Sequence, residues 1–126
     1  MKSLTIEQLI MFHNKITNAS GGSHGIKDRG LIESALNRCL ATFDGEDLYP
    51  TVIEKISVTT VSLVKNHGFV DGNKRVGVSV MLILLSLNNI EIEYSQEELI
   101  ELGLGLANGE LNEENVIRWI NQRYKK

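Results

Sequence analysis

The stretch HGFVDGNKRVGVSVMLILLSL, His67 to Leu87, decides how the rest of the chain is read. Its second half, VGVSVMLILLSL from Val76, is the longest apolar run in the chain, broken only by Gly77, Ser79 and Ser86. A bilayer-spanning helix needs roughly 20 apolar residues, so this run is too short to cross a membrane. A helix that is apolar on nearly every face belongs inside a bundle instead. The spacing therefore predicts a buried central helix from about Gly72 to Asn88. Its start lies in the polar first half of the stretch. That half, HGFVDGNKR, packs a histidine, a carboxylate, two cations and two glycines into nine residues. The segment before it, VTTVSLV (Val58 to Val64), is apolar again. The polar cluster is thus a tight loop between two hydrophobic elements.

Outward from this loop, helix signals dominate. Thr5 and Gln8 form a capping box. Ile6, Leu9, Ile10, His13 and Ile16 then share one helical face. NASGGSHG, Asn18 to Gly25, ends that helix with glycines and short polar residues. Asp28 caps a second helix, with Leu31, Ile32, Ala35, Leu36, Cys39, Leu40 and Phe43 as its apolar stripe. DGEDLYP, Asp44 to Pro50, is a loop. Thr51 and Glu54 form another capping box, for a third helix reaching about Asn66. Its VTTV segment would also suit a strand, but the cap and the length favour helix. Beyond the central helix, IEIEY (Ile90 to Tyr94) alternates like a short strand. Ser95 and Glu98 cap a fifth helix, and Asn112 caps a sixth that turns Val116, Ile117 and Ile120 inward. The expected fold is all-α. It is one domain over residues 1–126, a compact bundle of about six helices with a central buried helix.

Composition narrows the function classes. A chain of 126 residues can bury a core without disulfide or metal staples. Its 42% hydrophobic and 23% charged content is ordinary for a soluble globular protein. A formal net charge of −3 gives no general affinity for nucleic acid or membrane surfaces. No direct nucleic-acid or membrane partner is expected. The single cysteine, Cys39, excludes an internal disulfide and fits a reducing compartment. The opening MKSLTIEQLI lacks the apolar run and cleavage site of a signal peptide, so a cytoplasmic location is expected. No His/Cys cluster has zinc spacing. Cys39, on the stripe of the second helix, reads as a small buried hydrophobe, and His13, on an apolar face, as a core or edge histidine without a catalytic role. His24 reads as a solvated loop residue, and Glu97, Glu98 and Glu101 as a solvated acidic face.

The chemistry concentrates in HGFVDGNKR. The first turn of a helix carries unpaired N–H groups and the positive end of its dipole, which together bind anions. Gly72 lets the backbone approach a ligand and shape a nest of N–H groups. Arg75 can offer a bidentate fork to phosphate oxygens, and Asn73 can hold the loop or donate to the same anion. Asp71 supplies one hard oxygen ligand, which with phosphate oxygens and water is how Mg²⁺ is usually held. His67 can accept a hydroxyl proton. Phe69 points into the core and anchors the loop. Taken singly, each polar residue has a plainer reading. Asp71 or Asn73 would be helix caps, His67 a C-terminal cap, and Lys74 and Arg75 solvated first-turn residues. Cations are nevertheless misplaced at that end of a helix. Together the residues form the parts of phosphoryl or nucleotidyl transfer.

HGFVDGNKR also resembles the Fic/Doc motif HxFx(D/E)(G/A)N(G/K)R at every defined position, through His67, Phe69, Asp71, Gly72, Asn73, Lys74 and Arg75. RGLIESAL (Arg29 to Leu36) and GEDLYPTVIEK (Gly45 to Lys55) are similar to segments of the death-on-curing (Doc) branch. The resemblance implies an all-α fold with a small β-hairpin flap near DGEDLYP that positions a target protein. It implies His67 as catalytic base, Asp71 as Mg²⁺ ligand, and Gly72, Asn73 and Arg75 as holders of the ATP phosphates. Lys74 stands where Fic adenylyltransferases usually carry glycine. A lysine there is similar to the Doc pattern, in which ATP binds reversed and the γ-phosphoryl group is transferred. The implied protein is a Doc-like toxin, a kinase that modifies a hydroxyl side chain of a target protein and stops translation and growth. Elongation factor Tu, the target of the branch's prototype, is carried over as a candidate. A Fic-type protein adenylyltransferase and a non-catalytic nucleotide- or partner-binding module are the alternatives. The inhibitory pattern [S/T]xxxE[G/N] has no copy in the chain, so the resemblance implies a separate antitoxin acting in trans. The chain departs from the family in three places. Gly68 replaces a common proline, an exchange expected to loosen the loop. Val76-Gly77 replaces a common Thr-Ala, and Gly72 stands where the prototype has alanine.

Overall fold

The computed structural model describes residues 1–22 and 25–125. Within them six α-helices follow one another: α1 (Ile6–Ser20), α2 (Arg29–Asn37), α3 (Val52–Asn66), α4 (Asn73–Leu87), α5 (Gln96–Ala107) and α6 (Glu113–Arg123). A 3₁₀ turn, Arg38–Leu40, extends α2, and strands β1 (Thr42–Phe43) and β2 (Glu46–Asp47) follow it. Local chemistry sets most of these boundaries. Thr5, Asp28, Thr51, Ser95 and Asn112 each accept a hydrogen bond from a first-turn N–H of the helix they precede. The boxes at Thr5 and Ser95 are reciprocal, as is one between Asn112 and Asn115. At Thr51 the second bond is different. The threonine hydroxyl donates to the Glu54 carboxylate at 2.9 Å.

α3 and α4 share the centre. Every residue of α3 from Ile56 to Val64 is buried, so VTTV is helical and enclosed on all sides. Its hydroxyls lie in the core without cost because Ser57, Thr59 and Thr60 donate to the carbonyls of Ile53, Lys55 and Ile56, one turn back, at 2.7–2.9 Å. α4 packs along α3 and between α1 and α5. Val76, Val80, Met81, Leu84 and Leu85 supply its buried face. α2 and α6 close α3 from its other sides. Leu9, Ile32, Phe69, Leu102, Leu106, Val116 and Ile120 complete one continuous apolar core. Cys39 is buried in it as expected.

Several sequence expectations change here. The apolar stripe of the second helix stops at Cys39. The chain leaves the helix there, so Leu40 and Phe43 are 62% and 75% exposed. DGEDLYP is partly a hairpin, with Asp44 and Gly45 at φ 54° and 80° between β1 and β2. Asp-Gly with two positive φ angles is the turn whose twist suits a two-residue hairpin. IEIEY forms no ladder. Ile92 makes a single antiparallel bridge to Tyr124. Glu98 stays on the solvated acidic face and also pairs there with Arg123. His24 lies outside the described residues.

Candidate active site

α3 ends at Asn66 and α4 starts at Asn73, so HGFVDG is the whole connection between the two central helices. Seven hydrogen bonds fix it at five residues. The Gly68 carbonyl accepts from Lys27 N–H and Asp28 N–H, both at 2.9 Å. The Phe69 N–H donates to Asn73 Oδ1 at 3.1 Å, and its carbonyl accepts from Asn73 Nδ2 at 3.0 Å. Val70 N–H donates to the Gly25 carbonyl at 3.2 Å. The Asp71 carbonyl accepts from His13 Nε2 at 2.6 Å. Gly72 N–H donates to Asp71 Oδ1 at 2.8 Å. Phe69, 2% exposed, anchors the loop in the core as expected. Gly68 tightens the loop, contrary to expectation. A side chain there would run into Ile32 Cγ1 at 2.5 Å, so its absence lets the loop press against the start of α2.

The expected site residues take distinct positions in this frame. His67 caps the C-terminus of α3 in the left-handed region, at φ 50° and ψ 46°, with its side chain exposed. That conformation is uncommon outside glycine and is often held at functional positions by surrounding structure. Gly72, at φ 79°, is the N-cap residue of α4. It displaces Asp71 from the capping position, so the plainer reading of Asp71 as N-cap does not hold. No side chain caps α4. Asn73 holds the loop through both of its polar atoms. Lys74 and Arg75 stand in the first turn, half-buried. The stem of Lys74 lies across α5. A Cβ on Gly103 would sit 3.3 Å from Lys74 Cγ and 3.5 Å from its Cδ.

The connector after α1 borders the same space. A Cβ on Gly22 would lie 2.9 Å from Asp71 Oδ2 and 3.7 Å from Arg75 Nη2. The carboxylate and the guanidinium thus both lie close to residue 22, where a side chain would crowd the carboxylate. α1 forms the floor. A Cβ on Gly72 would meet Thr17 Cγ2 at 3.3 Å and His13 Nε2 at 3.5 Å. His13, Thr17 and Gly22 were not legible as site neighbours. The available signal was His13 and Thr17 one turn apart on an apolar face, which points equally to the core. Among the described residues, no group of three or more His, Cys, Asp or Glu side chains could hold a metal ion.

Residues 3–85, which include α1 to α3, the loop and most of α4, match the model of the Fic/DOC family. The chain belongs to the Fic/DOC family. Its similarity lies with Doc proteins. It is 36% identical to "Toxin Doc" of Mycolicibacterium smegmatis over 74 residues, 59% of this chain and 57% of that protein. It is 29% identical to "Protein kinase doc" of Escherichia phage P1 over 125 residues, 98% of this chain and 97% of that protein. The six-helix bundle with one small hairpin agrees with the all-α Fic/Doc fold. No helix among the described residues is long and apolar enough to cross a membrane.

Proposed function

We propose that this chain is a Doc-type toxin that transfers the γ-phosphoryl group of ATP to a serine or threonine hydroxyl of a target protein. The observation that carries the reading is the start of α4. It is a helix N-terminus without a side-chain cap, opened by a left-handed glycine, with Lys74 and Arg75 in its first turn. The first N–H groups of a helix have no acceptor within it and face outward with the positive dipole end. Here the nearby charges add to that potential where acids would normally offset it. Gly72, Asn73, Lys74 and Arg75 form the phosphate cradle, Arg75 being placed to fork two phosphate oxygens.

The site's chemistry fits Mg²⁺. Asp71 accepts from Gly72 N–H through Oδ1, and its Oδ2 lies beside Gly22. One carboxylate plus phosphate oxygens and water is the usual protein share of a Mg²⁺ site, so the ion would be held jointly with the nucleotide. Bound there, it would neutralise charge on the phosphate oxygens. His67, held at the end of α3, takes the proton from the target hydroxyl. That oxygen attacks the γ-phosphorus, the bond from γ-phosphorus to the bridging oxygen breaks, and ADP leaves. The tied loop supplies the positioning on which such transfers depend.

Lys74 favours phosphoryl over adenylyl transfer. Its half-buried stem lies against Gly103, and a side chain at this position takes up room that a glycine would leave to the outer phosphates. The exposed hairpin with Phe43 is the surface for the target, with elongation factor Tu the candidate, and a separate antitoxin is the restraining partner. The test is a target-containing lysate with ATP labelled at the γ or the α position. Label incorporated from the γ position alone supports the reading. Label from the α position alone overturns the Lys74 argument in favour of adenylyl transfer. An unlabelled lysate with both, from folded protein, would leave only a non-catalytic binding module.

A further inference from the structure

We infer that His13 is a positioning residue of the active-site loop, a role set by its Nε2 proton rather than by its bulk. The side chain comes from α1, 58 residues before its partner, and is 1% exposed. Its Nε2 lies 2.6 Å from the carbonyl oxygen of Asp71. A carbonyl oxygen only accepts, so the imidazole proton sits on Nε2. The ring stacks on Phe69 with centroids 3.8 Å apart and planes 9° from parallel. Stacking fixes the plane of the ring, and Phe69 is itself part of the loop. His13 therefore grips the loop twice, by its face at residue 69 and by its edge at residue 71.

The second grip matters for chemistry. The Asp71 carbonyl belongs to the peptide that links Asp71 to Gly72, and the N–H of that peptide donates to the Asp71 carboxylate. One peptide plane is thus held at both ends, by His13 on its oxygen and by Asp71 Oδ1 on its nitrogen. Its orientation sets where the Asp71 carboxylate points and how Gly72 enters α4. Thr17, one turn along α1, completes the support. Its hydroxyl donates to the carbonyls of His13 and Asn14 at 3.0 and 3.2 Å, which leaves its methyl against Gly72. A core-filling histidine would need neither the short bond nor the tautomer.

The inference rests on the proposed function only for what the loop binds. The grip itself can be tested without activity. His13→Gln keeps a side-chain N–H donor, whereas His13→Leu keeps apolar volume and removes the donor. Should His13→Leu not fold, His13→Asn takes its place, with an amide too short to reach Asp71. Two measurements on each folded variant decide the matter: amide hydrogen exchange, and calorimetric affinity for ATP with Mg²⁺. In His13→Leu, amides of residues 69–73 should exchange about tenfold faster relative to those in the middle of α3, as expected for loss of one buried hydrogen bond. ATP affinity should fall by about tenfold, the equivalent of one such bond. His13→Gln should restore both to within about threefold of the native protein. Uniform acceleration across loop and α3, or a glutamine variant as impaired as leucine at equal thermal stability, would overturn the inference. Failure of the native protein to bind ATP would sink the nucleotide reading instead, while the exchange comparison still decides the role of His13.

Discussion

The starts of the helices fall into two kinds. Five are built for folding: Thr5, Asp28, Thr51, Ser95 and Asn112 each satisfy a first-turn N–H, and four of the five helices carry an acid in their first turn. The start of α4 has neither device. Gly72 offers no cap, and the first turn carries Lys74 and Arg75. Capping is worth about 1 kcal/mol and favourable charge about 0.3–1 kcal/mol, so α4 forgoes stabilisation that the other helices take. Burial makes this affordable, because α4 is held by its core face and by a loop tied at five residues. A helix end left electropositive and uncapped, yet rigidly placed, is what phosphate binding requires.

The contrast can be broken from either side. The largest effect should come from His67→Ala. A positioned general base contributes about 10²–10⁴-fold, so γ-phosphoryl incorporation should fall by that factor. The exposed side chain makes no large stability term, so the urea midpoint should hardly move. Retained transfer in that variant would remove His67 from the chemistry. Next is Asp71→Asn, which keeps an acceptor for Gly72 N–H but loses the charge. ATP affinity in the presence of Mg²⁺ should fall by about tenfold or more, with the Mg²⁺ titration shifted to higher concentration. An unchanged Mg²⁺ midpoint would contradict the assignment.

Lys74→Glu makes α4 resemble its neighbours. Affinity for ATP should drop, while stability rises by about 0.3–1 kcal/mol through the dipole. A variant weaker in both respects would show that Lys74 is needed for packing against Gly103 rather than for the ligand. Ser95→Ala is the converse change at an ordinary helix start. It should cost about 1 kcal/mol in chemical denaturation and leave ATP affinity unchanged. The smallest effect concerns pH. The hydrogen bond from Arg123, aided by Ser95, holds the Glu98 carboxyl below its ordinary range. A lowered carboxylate pKa stabilises the fold above the unfolded-state value, and the contribution fades as pH falls toward the folded one. Unfolding midpoints measured from neutral pH downward should therefore decline below the ordinary glutamate range, and less steeply in Glu98→Gln. Parallel curves would show that the pair contributes nothing.

What was legible in the sequence follows the range of the forces involved. Caps act within four residues, so all five side-chain caps could be read directly. The apolar run from Val76 and the motif from His67 also carried their meaning locally. The stripe through Leu40 and Phe43 misled because periodicity does not reveal where a chain leaves its helix. IEIEY alternates correctly, but a strand needs a partner, and among the described residues Ile92 makes one bridge, to Tyr124. His13, Thr17 and Gly22 were hidden for the same reason: their roles come from contacts with residues 71, 72 and 75, which only tertiary packing brings near. The family motif names the groups proposed to meet the ligand, with Phe69 and Asn73 as loop anchors, and does not include the supports from α1.

The most direct measurement is a titration of the isotopically labelled protein with ATP and Mg²⁺, followed by backbone amide resonances. The expected result is saturable shifts concentrated at residues 71–76, with the starts of α1, α2, α3, α5 and α6 unmoved. Shifts spread over several helix starts, or none at the start of α4, would contradict the claim that this end of the helix is kept uncapped to hold phosphate.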